Sequence, residues 1–149
     1  MTDLQDLYQE LILDHGRRPR NFGKLVDANQ SAEGYNPLCG DKIRVYVKVD
    51  GNIVEDIKFE GAGCAISTAS ASIMTSALKG KTLAESEQLF RAFHDLVTGQ
   101  QPGPDTPELG KLEVFSGVSE FPTRVKCATL SWHTFRAALN GKGGVVSTE

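Results

Sequence analysis

The sequence predicts an α+β fold, and three observations carry the prediction. Residues 42–49, KIRVYVKV, alternate apolar and polar side chains with a period of two, the signature of a half-buried strand. Asp50-Gly51-Asn52 then supplies a turn, and IVEDIKFE resumes the strand pattern, so the two runs form an antiparallel hairpin. Four further segments repeat apolar residues at steps of three and four, the spacing of amphipathic helices. One face of the hairpin needs a cover, and the helices supply it.

Taken in order, Leu4, Leu7, Tyr8, Leu11 and Ile12 form the stripe of a first helix, which Gly16 is placed to end. The basic RRPRNFGK that follows contains Pro19 and Gly23 and reads as an exposed connector. In the hairpin Ile43, Val45, Val47 and Val49 share one face of the first strand, and Ile53, Ile57 and Phe59 share one side of the second. A second helix starts just beyond Cys64, with Ile66, Ile73, Met74 and Leu78 as its apolar set and Gly80 as its stop. Thr82 and Glu85 make a capping box for a third helix, whose stripe is Leu89, Phe90, Phe93 and Val97, up to Gly99. Residues 100–110, QQPGPDTPELG, hold three prolines and two glycines and form a loop too short to link two separate cores. Pro122 opens the last helix, with Val125, Ala128, Trp132, Phe135 and Leu139 facing the core until Gly141. Cys127 lies off that stripe, so while the stripe faces the core its thiol can look elsewhere.

At 149 residues the chain has the size of one domain, and residues 1–149 are read as one. No apolar run reaches the roughly 20 residues needed to cross a bilayer, and the acidic N-terminus lacks the pattern of an export signal. A soluble, cytoplasmic protein is expected, with no membrane partner. A net charge of −3 and the lack of a long Lys/Arg cluster argue against nucleic acid as a partner. Three cysteines cannot all pair within one molecule, so reduced thiols or metal ligands fit better than a disulfide framework.

Those cysteines define the candidate chemistry. Cys39-Gly40-Asp41 lies in the turn just before the first hairpin strand, and Gly61-Ala62-Gly63-Cys64 lies where the second strand ends. Antiparallel partners return the chain to its start, so Cys64 should approach Cys39 and Asp41. If the last helix covers the sheet with its N-terminal turn at that edge, Cys127 joins them. Cys39, Asp41, Cys64 and Cys127 then give four ligands, the usual number for tetrahedral zinc. Any one cysteine alone fits a small core filler, and Asp41 alone fits a turn residue. Two cysteines in glycine-containing turns at one sheet edge exceed what core filling requires. His15, His94 and His133 are scattered without ligand spacing and stand as reserves for the fourth position.

Four ordered blocks, LILDHGRRPRNFG (11–23), NPLCGDKIRV (36–45), FEGAGCAISTASASIM (59–74) and GVSEFPTRVKCATLSW (117–132), resemble the U-type iron–sulfur assembly proteins. Within that superfamily the chain is most similar to the SufU type. The segment between about Thr82 and Val118 is longer than in IscU scaffolds, and Lys126 precedes Cys127 where those scaffolds carry a histidine. The resemblance implies a three-stranded antiparallel sheet covered by helices, as in IscU and SufE, for which residues 29–35 are the available third strand. It also implies zinc on Cys39, Asp41, Cys64 and Cys127.

The resemblance further implies zinc-dependent sulfurtransferase activity with a SufS-type, PLP-dependent cysteine desulfurase. Cys39 would accept the persulfide sulfur once a histidine of the desulfurase replaces it on zinc, and downstream iron–sulfur assembly proteins would receive the sulfur. Arg124, one turn before Cys127, is a candidate for steering the persulfide, and a solvated helix-face charge is its plainer reading. The alternatives are a scaffold on which iron or a transient [2Fe–2S] cluster is held by the same residues, and an interaction domain whose zinc is structural.

Overall fold

A computed structural model describes residues 4–37, 40–100, 107–140 and 145–147, with the backbone alone for 4–7 and 145–147. The elements run α1 (Leu4–Arg17), β1 (Gln30–Asn36), β2 (Asp41–Asp50), β3 (Ile53–Ala62), α2 (Ala65–Leu78), α3 (Leu83–Thr98), a 3₁₀ segment (Gly110–Glu120), α4 (Pro122–Leu139) and β4 (Val145–Ser147). The sheet order is β3-β2-β1-β4, with β1, β2 and β3 antiparallel as expected and β1 filling the place left for a third strand. A fourth strand, β4, adds parallel to β1. Three residues are too few to display an alternation, which is why the sequence pattern did not reveal it.

The inward sheet face carries Ala32, Ile43, Val45, Val47, Ile57 and Phe59, all buried. The outward face is polar and paired: Arg44 with Glu33 at 2.5 Å, Lys48 with Asp27 at 3.0 Å, and Tyr46 with Glu60. Ile53 departs from its expected side. The register passes from Lys48↔Asp56 to Val49↔Val54, leaving Glu55 as the extra residue of a bulge. The bulge reverses the parity, so Val54 is fully buried and Ile53 is 41% exposed.

α4 and α2 cover the inward face, with α1 against α2. α4 is buried nearly all round between Cys127 and Phe135, because the sheet, α2 and the 3₁₀ segment each take one side of it. A Cβ on Gly34 would lie 2.0 Å from Thr134 Oγ1, so β1 admits α4 at this distance only with glycine there. On α2 the small side chains serve the same end, and Ser70 Oγ donates to Ala128 O at 2.5 Å across the two helices.

One further expectation changes. Gly16 lies inside α1, 3.4 Å from Ala65 Cβ measured from an added Cβ, and so permits close packing on α2 instead of ending the helix. The RRPRNFGK connector carries exposed charge as expected, with Arg17, Arg18, Arg20 and Lys24 exposed, and its backbone is also docked: Arg20 N–H donates to Ser72 Oγ at 2.8 Å, Asn21 Nδ2 to Thr75 Oγ1 at 3.0 Å, and Gly23 N–H to Phe59 O at 2.8 Å. The 3₁₀ segment Gly110–Glu120 buries Leu112, Val114, Phe115 and Val118. α3 has its capping box at Thr82 and Glu85 and a left-handed cap at Gly99, φ 77°. Among the described residues no helix is long and apolar enough to cross a membrane.

Candidate metal centre

Strand parity builds the site. Asn36 pairs with Asp41 across β1 and β2, Gly34 with Ile43 and Ala32 with Val45, so all six side positions lie on the inward face under α4. Asp41 is therefore driven inward at the first position of β2, where it is fully buried. β3 runs back beside β2 to Gly61 and Ala62, which pair with Ile43 and Lys42. The chain then turns at Gly63, and Cys64 becomes the N-cap of α2. From above, the second turn of α4 delivers Cys127, 2% exposed, to the same point.

One ligand atom from each of Asp41, Cys64 and Cys127 lies within 4.8 Å of the others. Each is held by an N–H donor. Cys64 N–H donates to Asp41 Oδ1 at 2.8 Å, Ser67 N–H to Cys64 Sγ at 3.4 Å, and Asn36 Nδ2 to Cys127 Sγ at 3.5 Å. The Cys64 thiol reaches Asp41 Oδ2 at 3.8 Å. Gly63 is part of the cradle, since an added Cβ would stand 2.7 Å from Asp41 Oδ1. As an N-cap, Cys64 also sits at the positive end of the α2 dipole.

This donor set fits a zinc ion. Zinc–sulfur bonds of about 2.3 Å and zinc–oxygen bonds of about 2.1 Å in a tetrahedron separate the donors by roughly 3.5–3.8 Å. The Cys64–Asp41 separation already has that value. A buried carboxylate needs charge compensation, and among the described residues no Lys or Arg forms an ion pair with Asp41. A cation between the sulfurs would supply it.

Of the site residues expected from sequence, the structure brings together Asp41, Cys64 and Cys127, while Cys39 lies outside the described residues. Cys127 lies off the apolar stripe, and its thiol looks toward Asp41 and Cys64. The thiol is buried against Asn36, while Thr123 and Arg124 one turn earlier are exposed. Arg124 is exposed and lies over the Phe121 ring, 4.6 Å from its centroid. The three histidines are elsewhere. His15 is buried with Nδ1 2.7 Å from Ser72 Oγ, and burial holds its pKa below the ordinary histidine value. His94 and His133 both pack on Phe90, and His133 is likewise held low by burial, then by His94 and Arg136. Asn36 was missed in the sequence reading; its signal is the alternation that puts residues 32, 34 and 36 on one strand face with its last member polar.

Comparison with known proteins agrees with this architecture. Residues 7–128 match the NifU-like N terminal domain. The chain is 49% identical over 143 residues to the zinc-dependent sulfurtransferase SufU of Bacillus subtilis (strain 168), covering 96% of each chain. It is 42% identical to the iron-sulfur cluster assembly scaffold protein IscU of Streptococcus pyogenes serotype M1, over 93% of this chain and 86% of the relative. The crystal structure of a putative iron-sulfur cluster assembly scaffold protein for the SUF system from Fervidobacterium islandicum AW-1 superposes with a TM-score of 0.82 at 35% identity, covering 92% of this chain and 99% of the other. With four-fifths of its length matching one family and close relatives matched nearly end to end, the chain belongs to the NifU-like N-terminal domain family of U-type iron–sulfur assembly proteins.

Proposed function

We propose that this chain is a zinc-dependent sulfur acceptor in iron–sulfur cluster assembly, taking persulfide sulfur from a PLP-dependent cysteine desulfurase of the SufS type. The observation that carries the reading is the convergence of Asp41 with the Cys64 and Cys127 sulfurs, within 4.8 Å, around a buried carboxylate with no basic partner among the described residues. The 49% identity to a zinc-dependent sulfurtransferase supports it. Cys39, Asp41, Cys64 and Cys127 would hold the ion. Bound zinc would keep the coordinated sulfurs deprotonated at neutral pH without redox chemistry of its own.

The chain's residues divide the remaining work. Asp41, Cys64 and Cys127 form a base whose donors are fixed by Cys64 N–H, Ser67 N–H and Asn36 Nδ2. Cys39 is the acceptor: its thiolate attacks the outer sulfur of the desulfurase persulfide, a new S–S bond forms on Cys39, and the old one breaks to leave a thiolate on the desulfurase. Arg124, exposed one turn before Cys127, meets the incoming anion. The downstream receivers are iron–sulfur assembly proteins, the compartment is the cytoplasm, and residues 1–149 act as one domain.

The test uses the zinc-loaded protein with a SufS-type desulfurase and cysteine under nitrogen, followed by mass analysis of Cys39. Gain of one sulfur atom on Cys39, lost in Cys39→Ala, is the expected result. Sulfur acceptance at the wild-type rate by Cys39→Ala rules the assignment out. A brown protein retaining iron and sulfide, with no sulfur accepted on Cys39, would instead indicate a cluster scaffold.

A further inference from the structure

The three described donors are each steadied by an N–H group, and two of those groups belong to the backbone. Cys64 N–H and Ser67 N–H come with the turn into α2 and survive any side-chain change. The third, Asn36 Nδ2, is a side chain, and it donates to Cys127 Sγ at 3.5 Å. Asn36 is fully buried at the end of β1, directly across the ladder from Asp41. A buried amide is costly unless its polar atoms are used, and here one is spent on a sulfur.

The chemistry suits a residue that tunes a metal ligand. An amide is neutral at every physiological pH and donates without adding charge, so it can draw electron density from a thiolate without competing with the cation. Lys or Arg in the same place would neutralise the thiolate and weaken the claim of a cation on it. Cys127 itself has little freedom, being 2% exposed. The hydrogen bond therefore sets both the direction of its sulfur and its donor strength.

From this geometry we infer that Asn36 is an outer-sphere positioning residue of the metal centre, fixing Cys127 as a permanent ligand through an N–H to sulfur hydrogen bond. The inference rests on the proposed metal site. It adds which side chain steadies the buried sulfur: Cys127 is held from behind by Asn36.

The first measurement uses the wild-type chain loaded with an NMR-active cadmium isotope in place of zinc. Coupling through the hydrogen bond from the Asn36 side-chain amide protons to cadmium is expected, with the Ser67 N–H to Cys64 contact as internal reference. The second compares Asn36→Ala and Asn36→Leu with wild type, loaded with cobalt(II). Loss of the N–H raises the energy of the sulfur lone pairs, so the sulfur-to-cobalt band should move to longer wavelength, and zinc affinity should fall about 10–100-fold. A merely space-filling role would leave the band unmoved in Asn36→Leu. Sulfur-ligated cadmium without coupling to Asn36 overturns the inference and leaves the metal site intact. Failure of cadmium to engage Cys64 and Cys127 overturns both. If neither variant folds, the wild-type coupling decides alone.

Discussion

Gly63→Ala puts the construction of the site under direct strain. The new Cβ would stand 2.7 Å from Asp41 Oδ1, 3.1 Å from its Cγ and 3.2 Å from its Cβ, well inside the 3.4 Å at which ordinary contact begins. The segment cannot simply retreat. Two residues earlier Gly61 holds φ +142°, and a Cβ on it would lie 2.1 Å from Lys42 O, so β3 and β2 already touch there. Asp41 is fully buried, and the atom displaced is the one that accepts Cys64 N–H at 2.8 Å. Loss of a hydrogen bond to a charged acceptor costs about 1.5–3 kcal/mol, and overpacking a tight site costs about 1–3 kcal/mol. One displacement causes both, so the expected destabilisation is about 2–3 kcal/mol, or a Tm lower by roughly 4–10 °C for a chain of this size. The carboxylate also leaves its place among the sulfurs, and zinc affinity should drop by at least about tenfold. Calorimetric melting and competition with a chromophoric zinc chelator read the two effects. A variant with wild-type Tm and wild-type zinc affinity would show that Gly63 and Asp41 are not packed as described.

Thr82→Ala removes the side-chain half of the α3 capping box, where Glu85 N–H donates to Thr82 Oγ1 at 3.1 Å, and should cost about 1 kcal/mol in urea unfolding without changing zinc affinity. Leu130→Ala, at a fully buried position of α4 beside Gly34, should cost about 2–5 kcal/mol by the same assay. His15 and His133 are both held below the ordinary histidine pKa, in each case first by burial. The unfolded chain therefore takes up protons that these folded histidines refuse. Their contribution is fully present above about pH 6.5 and is lost as pH falls through that value toward the lower folded pKa. Urea midpoints of the zinc-free protein should decline on that side, and His15→Gln should flatten part of the slope.

The sequence reading succeeded where one period or one cap dominates. KIRVYVKV could only be a half-buried strand, Thr82 and Glu85 gave the start of α3, and the glycine turns on either side of the hairpin placed Asp41 and Cys64 at one sheet edge. It failed where tertiary packing overrides the local pattern. The bulge at Glu55 reverses the parity of β3 for Ile53 and Val54, and no residue type in IVEDI announces it. The apolar stripe of α4 understates its burial, since Thr129, Ser131 and Thr134, off the stripe, are buried too. Gly16 resembles a helix stop in one dimension and is a contact with Ala65 in three. Asn36 was overlooked as a site residue, although the alternation of β1 places it on the inward face with residues 32 and 34.

Zinc K-edge X-ray absorption on the protein purified under nitrogen goes straight to whether Cys39, Asp41, Cys64 and Cys127 share one ion. The expected spectrum has three sulfur neighbours at about 2.3 Å and one oxygen at about 2.0–2.2 Å, with one sulfur fewer in Cys127→Ala. A first shell of oxygen and nitrogen alone, or a spectrum unchanged by that substitution, would contradict the site.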